Sequence, residues 1–448
     1  MTRVLFLTGT CLALVAAAAC ATSDDLDTEV NPTPDPDSGA TLIGDASASD
    51  AAPDVTPERS VCSPAGWCPT ALPAADLSLK DIWPLAGRAF AVAESATSGV
   101  KALEWTESNG KWSYIDDSTQ NEWGRGAYVG KVYAPNENEV YYTVHPRTVY
   151  RGKRATTSSP WEWTRQALEN PLPPYPPGPS YAPEHYSGRP MDPVSSIARV
   201  SLGVFGTSAD DVYAWFGNTI YRLADDGAWT VDYVVDDLDR ADEQVVFLGA
   251  AGTGPNDVWF VGGRTGGPYD HRTCALAIHK TATGYRRAID AVRDDATSCS
   301  ARPETVLPEG KTSGWLSDVR ALSANTVVAL KAAYDLTRIT QSGDSYSTMT
   351  STVPRLGNPT ARQGGVGYLT LSAGPNEPVW MGTYSLVVRG DDVWVDGGSY
   401  AISSISLNGG VVSSTAPTGD MPIHQMRSSS SSDVWLVGDY NALHKTTP

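Results

Sequence analysis

The chain has 448 residues, of which 41% are hydrophobic and 19% charged, and its formal charge at pH 7 is −18. Apolar material is ample for a large core, and the length fits two or three average domains or one long repetitive β unit. So acidic a chain argues against nucleic acid as a partner, because phosphate binding needs a basic surface.

In chain order, the first element is "MTRVLFLTGTCLALVAAAAC". Arg3 supplies a short positive region, Val4 to Ala19 an apolar run, and small residues lead into Cys20. The run is too short for a membrane span and is followed by polar residues, so residues 1–19 read as a signal peptide. Ordinary cleavage after Ala19 would release a secreted protein. Residues 20–58 are Ala, Asp, Ser, Thr and Pro with few large apolar side chains. Such a segment cannot offset its ordering entropy by burial, so it reads as a disordered acidic tether. Its r.m.s. reach would be on the order of 35 Å.

Cys62, Cys68, Cys274 and Cys299 follow. An even number in an exported chain points to disulfides, and neighbour pairing is the simplest of three connectivities. The C-x5-C spacing and the lack of a nearby His pair speak against zinc.

From residue 59 onward one phrase recurs. In "ARVSLGVFGTSADDVYAWFGNTIYRLADDGAWTVDYV" a polar turn precedes a β-branched and aromatic strand. A Gly-Asn hairpin signal, a third strand, an Asp-Asp-Gly turn and a fourth strand opening on Trp229 come next. Counting by the second strand gives copies at Phe90, Val140, Val212, Val258, Val327, Val379 and Val434. Four-stranded meanders at regular spacing predict an all-β fold, a β-propeller of seven blades, with six and eight left open. Two long gaps predict insertions at 170–193, rich in Pro, and at 271–313. The last copy lacks its closing "G-x-W" strand, and that piece stands at the front as "SPAGWCPTAL". Residues 66–72 are therefore expected to complete the last blade and close the ring.

Small residues before Cys20 resemble the lipobox of bacterial lipoproteins, with Ala17 where Leu is usual. The resemblance implies lipidation of Cys20 and a membrane anchor. The pattern C-x-x-x-G-W-C-x-x-x-L-P from Cys62 to Pro73, followed by S-x-D-D-V-x-A blades, resembles β-propeller lipoproteins of myxobacteria. That implies a cell-envelope address, at the outer membrane, and no defined activity. The blade from Ile197 to Tyr233 also resembles tectonin-type repeats, some of which bind glycans.

Most Trp and Tyr sit at repeat positions and read as packing between blades. Trp67, Trp112, Trp163 and Trp229 close blades, while Trp259, Trp380 and Trp435 lie in second strands. Off-pattern aromatics are the candidate ligand contacts: Trp123, Tyr175, Tyr181, Tyr186 and Tyr269. The turn acids Asp210-Asp211, Asn256-Asp257 and Ser432-Asp433 are expected to bond the turn backbone. "DDLDRADEQ" from Asp236 to Gln244 lacks the register of a calcium loop and reads as solvated acid. No H-E-x-x-H, G-x-S-x-G or Gly-rich phosphate loop occurs. No catalytic residue, metal or cofactor is therefore assigned. The expectation is a non-catalytic binding or scaffold module of the envelope, with an envelope protein or a glycan as partner. The alternatives are a secreted tectonin-like lectin and a propeller glycosidase or lyase.

Overall fold

The computed structural model describes residues 62, 66–121, 129–145, 147–169, 201–239, 243–265, 273–294, 298–310, 313–331, 335–353, 370–383, 386–395, 398–405, 412–413, 423–430 and 432–446. Their strands form seven antiparallel sheets. Blade 1 is Leu77–Leu85, Arg88–Ser95, Gly99–Thr106 and Lys111–Tyr114. Blade 2 is Val129–Asn136, Glu139–Val144, Thr148–Lys153 and Glu162–Ala167. Blade 3 is Leu202–Ser208, Asp211–Phe216, Thr219–Leu223 and Trp229–Val234. Blade 4 comprises Gln244–Gly254, Asp257–Thr265, Thr273–Thr281 and Gly284–Arg293. Blade 5 comprises Leu316–Ser323, Thr326–Lys331, Asp335–Ser342 and Ser345–Thr352. Blade 6 runs through Thr370–Ser372, Val379–Thr383, Leu386–Asp391 and Ser399–Ile405. Blade 7 takes Ile423–Ser430, Asp433–Gly438 and Asn441–Lys445 from the end of the chain and Trp67–Pro69 from its front.

The first strand of each blade touches the first strand of the next, and blade 7 returns to blade 1. The molecule is thus a seven-bladed β-propeller, with the first strands around a central channel. The closure expected from the sequence is present, with Trp67 opposite Lys445, Cys68 opposite His444 and Pro69 opposite Leu443. The Gly-Asn hairpin of blade 3 is also present, with Gly217 at φ 57°, in the left-handed region that favours glycine.

Two departures from the repeat appear. Blades 4 and 6 carry a short fifth strand, Cys299–Ala301 and Val412–Ser413. The segment 271–313, expected as a loop insertion, instead contains the third and fourth strands of blade 4 and then the fifth. The long spacing there arises because the second, third and fourth strands of blade 4 run to 9, 9 and 10 residues and a fifth strand follows them. The Cys274–Cys299 disulfide ties the third strand to the fifth across the fourth, and Cys62 is joined to Cys68. The other expected insertion, 170–193, lies outside the described residues.

The seams between blades are built on rings. The aromatic two residues into a second strand meets an aromatic of the following blade. Phe90 meets Trp161, Tyr141 meets Trp229, Tyr213 meets Phe260 and Trp259 meets Tyr346, at centroid distances of 5.8, 6.5, 5.7 and 5.8 Å. Trp380 meets Trp67 at 5.8 Å, and Trp435 meets Trp112 at 5.7 Å. These edge-on contacts add to the area that each ring buries. The seam between blades 5 and 6 is the exception, because Val328 occupies the ring position.

Candidate functional site

At the head of the second strand, blades 1, 2, 3, 4 and 7 carry a recurring polar cluster. Asp257 accepts hydrogen bonds from Thr253 Oγ1 at 2.5 Å and Trp259 Nε1 at 3.0 Å, and lies 2.9 Å from His279 Nε2. His279 stacks flat on Trp259 at 3.8 Å. Blade 7 repeats the set: Asp433 accepts from Ser429 Oγ and Trp435 Nε1, lies 2.7 Å from His444 Nε2, and His444 stacks on Trp435 at 4.0 Å. In blade 3 Asp211 accepts from Thr207 and Tyr213, with Arg222 in place of His, and in blade 2 Glu139 accepts from Tyr141 and Arg151. The turn acids therefore bond side chains across three strands rather than the turn backbone. The sequence reading missed this because a third-strand partner lies 11 to 22 residues away. Blade 1 inverts the signs: Arg88 stands at the head and Glu104 on the third strand, bonded to Arg88 and held in a fork by Arg154 of blade 2.

In the acid-rich stretch, residues 236–239 form an exposed loop, but its Asp237 is paired and not free. Asp237 is held by Arg287 at 2.5 Å and by Arg302 at 2.6 Å, with Arg264 at 3.3 Å. Burial opposes its ionisation, but the bonds and charges of Arg287, with Arg264 and Arg302, draw its pKa down to about 2. Arg264 also binds buried Asp290 and Glu243, so the acids anchor the outer part of blade 4.

In the channel, six of the seven first strands carry a β-bulge. A bulge re-aims the side chains that follow it, and polar residues stand there: Asp81, Asp318 and Gln425. Each links to a neighbouring blade. Val132 N donates to Asp81 at 2.8 Å, Leu371 N donates to Asp318 at 3.0 Å, and Gln425 Nε2 donates to Thr370 Oγ1 at 3.0 Å. Thr370 Oγ1 in turn accepts from Met426 N at 2.9 Å. Arg320 forks onto Asp318 and donates to the Met426 carbonyl, while Lys131 Nζ donates to Gln425 Oε1. Arg427 lies over the Trp83 ring at 4.6 Å and reaches Asp81 only at 3.4 Å.

Among the described residues, two concavities bear on this frame. One, of about 220 Å³, sits in the channel among Trp83, Phe205, Ala250, Ala321, Arg320 and Arg427. The other, of about 720 Å³, lies at the seam of blades 5 and 6, among Leu322, Arg338, Pro375, Pro378 and Trp394. Its origin is legible in the repeat. Thr326 and Pro378 stand where blades 2, 3, 4 and 7 have the acid, and Val328 replaces the ring. Arg338, at the position of His279 and His444, lies over Trp394 at 5.0 Å and has no carboxylate partner among the described residues.

The expected ligand aromatics Trp123, Tyr175, Tyr181, Tyr186 and Tyr269 lie outside the described residues, as does Cys20. In the tectonin-like blade Tyr213, Trp215 and Tyr221 are buried in the core, which leaves those rings no free face for a sugar. Among the described residues no group of three or more His, Cys, Asp or Glu is placed to hold a metal.

No protein-family profile matches the chain, and no curated protein sequence matches it. Solved structures share its fold. The WD40 repeats of RRP9 are 8% identical, with 86% of this chain and 99% of that one covered and a TM-score of 0.50. YCF48 from Cyanidioschyzon merolae is 12% identical, over 86% and 99%, with a TM-score of 0.49. Sqt1 of Saccharomyces cerevisiae is 12% identical over 87% and 100%, with a TM-score of 0.47. Identities this low speak to the fold alone.

Proposed function

We propose that this chain is a non-catalytic binding module of the cell envelope, anchored through a lipid on Cys20, whose propeller takes a protein partner at the seam of blades 5 and 6. The supporting observation is the break in the repeat. Where six seams are filled by rings, this one is left as a groove of about 720 Å³, and Val395, the residue after its lining Trp394, is 64% exposed. Interfaces draw on such apolar hollows with a few charged groups at the edge. Here Trp394 and the two prolines supply the apolar floor, and Arg338 supplies a cation not neutralised by its own blade. The turn carboxylates that could serve acid–base chemistry are committed to frame bonds, which supports a passive role. The likeness to myxobacterial propeller lipoproteins supports the address.

The test uses a photo-crosslinking residue at Val395 and, as control, at Asp344, whose side chain is 98% exposed on blade 5. Membranes of a Gram-negative host carrying the protein should give a discrete adduct from position 395 and none from 344. Intact mass, with a Cys20→Ala version alongside, should show diacylglycerol and acyl groups on Cys20. Equal adducts at both positions, or none, would overturn the docking reading, and an unmodified mass would overturn the anchor.

A further inference from the structure

The channel holds a surplus of positive charge. Among the described residues around the cavity, Lys131, Arg320 and Arg427 face two carboxylates, Asp81 and Asp318, one positive charge in excess in a chain whose formal charge is −18. The two arginines are unequally engaged. Arg320 spends its fork on Asp318 and on the carbonyls of Val319 and Met426. Arg427 reaches Asp81 at 3.4 and 3.5 Å through Nε and Nη2, and its Nη1 donates to none of the described residues. A guanidinium with open donors in a recess of low dielectric favours an anion, and a planar carboxylate matches its geometry.

Residue sizes around the channel make the room. Trp83 and Phe205 fill one side, with their centroids 6.1 Å apart, while Ala250, Ala251, Gly252, Ala321 and Ala373 leave the rest open. The cavity of about 220 Å³ has room for roughly seven waters at ~30 Å³ each. It therefore has an aromatic wall, a small-residue wall and a cationic end, formed by residues from six different blades.

We infer that this cavity is a binding site for an organic carboxylate with a compact apolar or aromatic body, the carboxylate on Arg427 and the body between Phe205 and the alanines. The site is separate from the groove at the seam of blades 5 and 6. It stands or falls independently of that reading. Burial disfavours the charged form of Arg320, Asp318 favours it, and the nearby charge of Arg427 opposes it.

The test is calorimetric titration of the full chain with phenylacetate, and with phenylacetamide as a neutral isostere. Phenylacetate should bind at least tenfold more tightly than the amide. Arg427→Gln should weaken phenylacetate at least tenfold and leave the amide unchanged. Ala321→Leu, which fills the cavity without touching the charges, should abolish binding of both. A doubly blocked aspartyl peptide that displaces phenylacetate would assign the carboxylate to a partner's side chain, and failure to displace would assign it to a free acid. Equal affinity for acid and amide, no binding of either, or full affinity in folded Arg427→Gln would overturn the inference. Should Arg427→Gln not fold, retention of phenylacetate binding by Ala321→Leu does so alone.

Discussion

Trp67 is the residue on which ring closure can be tested directly. It sits on a three-residue strand, is 1% exposed, and packs with Trp380, Val387, Ile423, Met426 and Leu443. Replacing a fully buried Trp by Ala costs about 3–5 kcal/mol when the site cannot collapse, and this site is bounded by two blades. The same change should loosen the outer edge of blade 7, because three register pairs and the bonds from Thr70 to the Ala442 carbonyl join the closing strand to that edge. Trp67→Ala should therefore lower the denaturant midpoint by an amount worth about 3–5 kcal/mol and speed amide exchange in Asn441–Lys445. Exchange in the outer strand of blade 3, Trp229–Val234, should stay as it was. A midpoint within experimental error of the natural protein, with Asn441–Lys445 still protected, would refute the view that the front of the chain closes the ring.

Other expectations follow from the charge and sulfur frame. Glu104→Ala should destabilise by about 3–5 kcal/mol, since it strands Arg154, whose side chain is 3% exposed, beside Arg88; the added change Arg154→Met should recover part of the loss in a denaturant titration. Replacing both Cys274 and Cys299 by Ser should cost about 3 kcal/mol through the loop of 25 residues they close, seen as a lower thermal midpoint, and reduction of the natural protein, which also opens Cys62–Cys68, should lower it at least as far. The seam of blades 7 and 1 should respond to acid. Burial opposes ionisation of Asp439, but bonds from His424 and Ser78 lower its pKa from 3.8 to about 2. Its contribution is therefore complete above pH 3.8 and is lost as pH falls through about 2. Asp439→Asn should flatten the acid limb of a stability–pH curve there, and an unchanged limb would show that this carboxylate does not govern the seam.

The blades were readable because their second strands alternate β-branched and aromatic residues between short Asp and Gly turns, a local signal repeated seven times. Closure was readable for the same reason, since a missing "G-x-W" strand at one end had a counterpart around Trp67. The channel was not. Asp81, Asp318 and Gln425 follow bulges that break the two-residue alternation, and their partners belong to other blades, 51 to 55 residues away for Val132, Leu371 and Thr370. The groove was half visible: Thr326, Val328 and Pro378 could be seen to depart from the repeat, but the space they leave needed Trp394 and Arg338 in place. Segment 271–313 misled because unusual strand length and a loop insertion stretch a spacing equally.

The sign inversion in blade 1 has a consequence for how this ring could grow or be rebuilt. Glu104 is completed by Arg154, a side chain lent by blade 2, so the unit that can be copied is the pair and not the single blade. A duplicate of blade 1 placed anywhere else would meet a neighbour without that arginine, and its glutamate would be buried with half its partners. The Asp–His–Trp cluster of blade 4 also leans on its neighbour, through Asn325 N on Asp257 and the Tyr346 hydroxyl beside His279, whereas the bonds that Asp433 makes in blade 7 all come from that blade. Blade 7 is therefore the module whose polar cluster a circular permutation or a blade transplant should move intact.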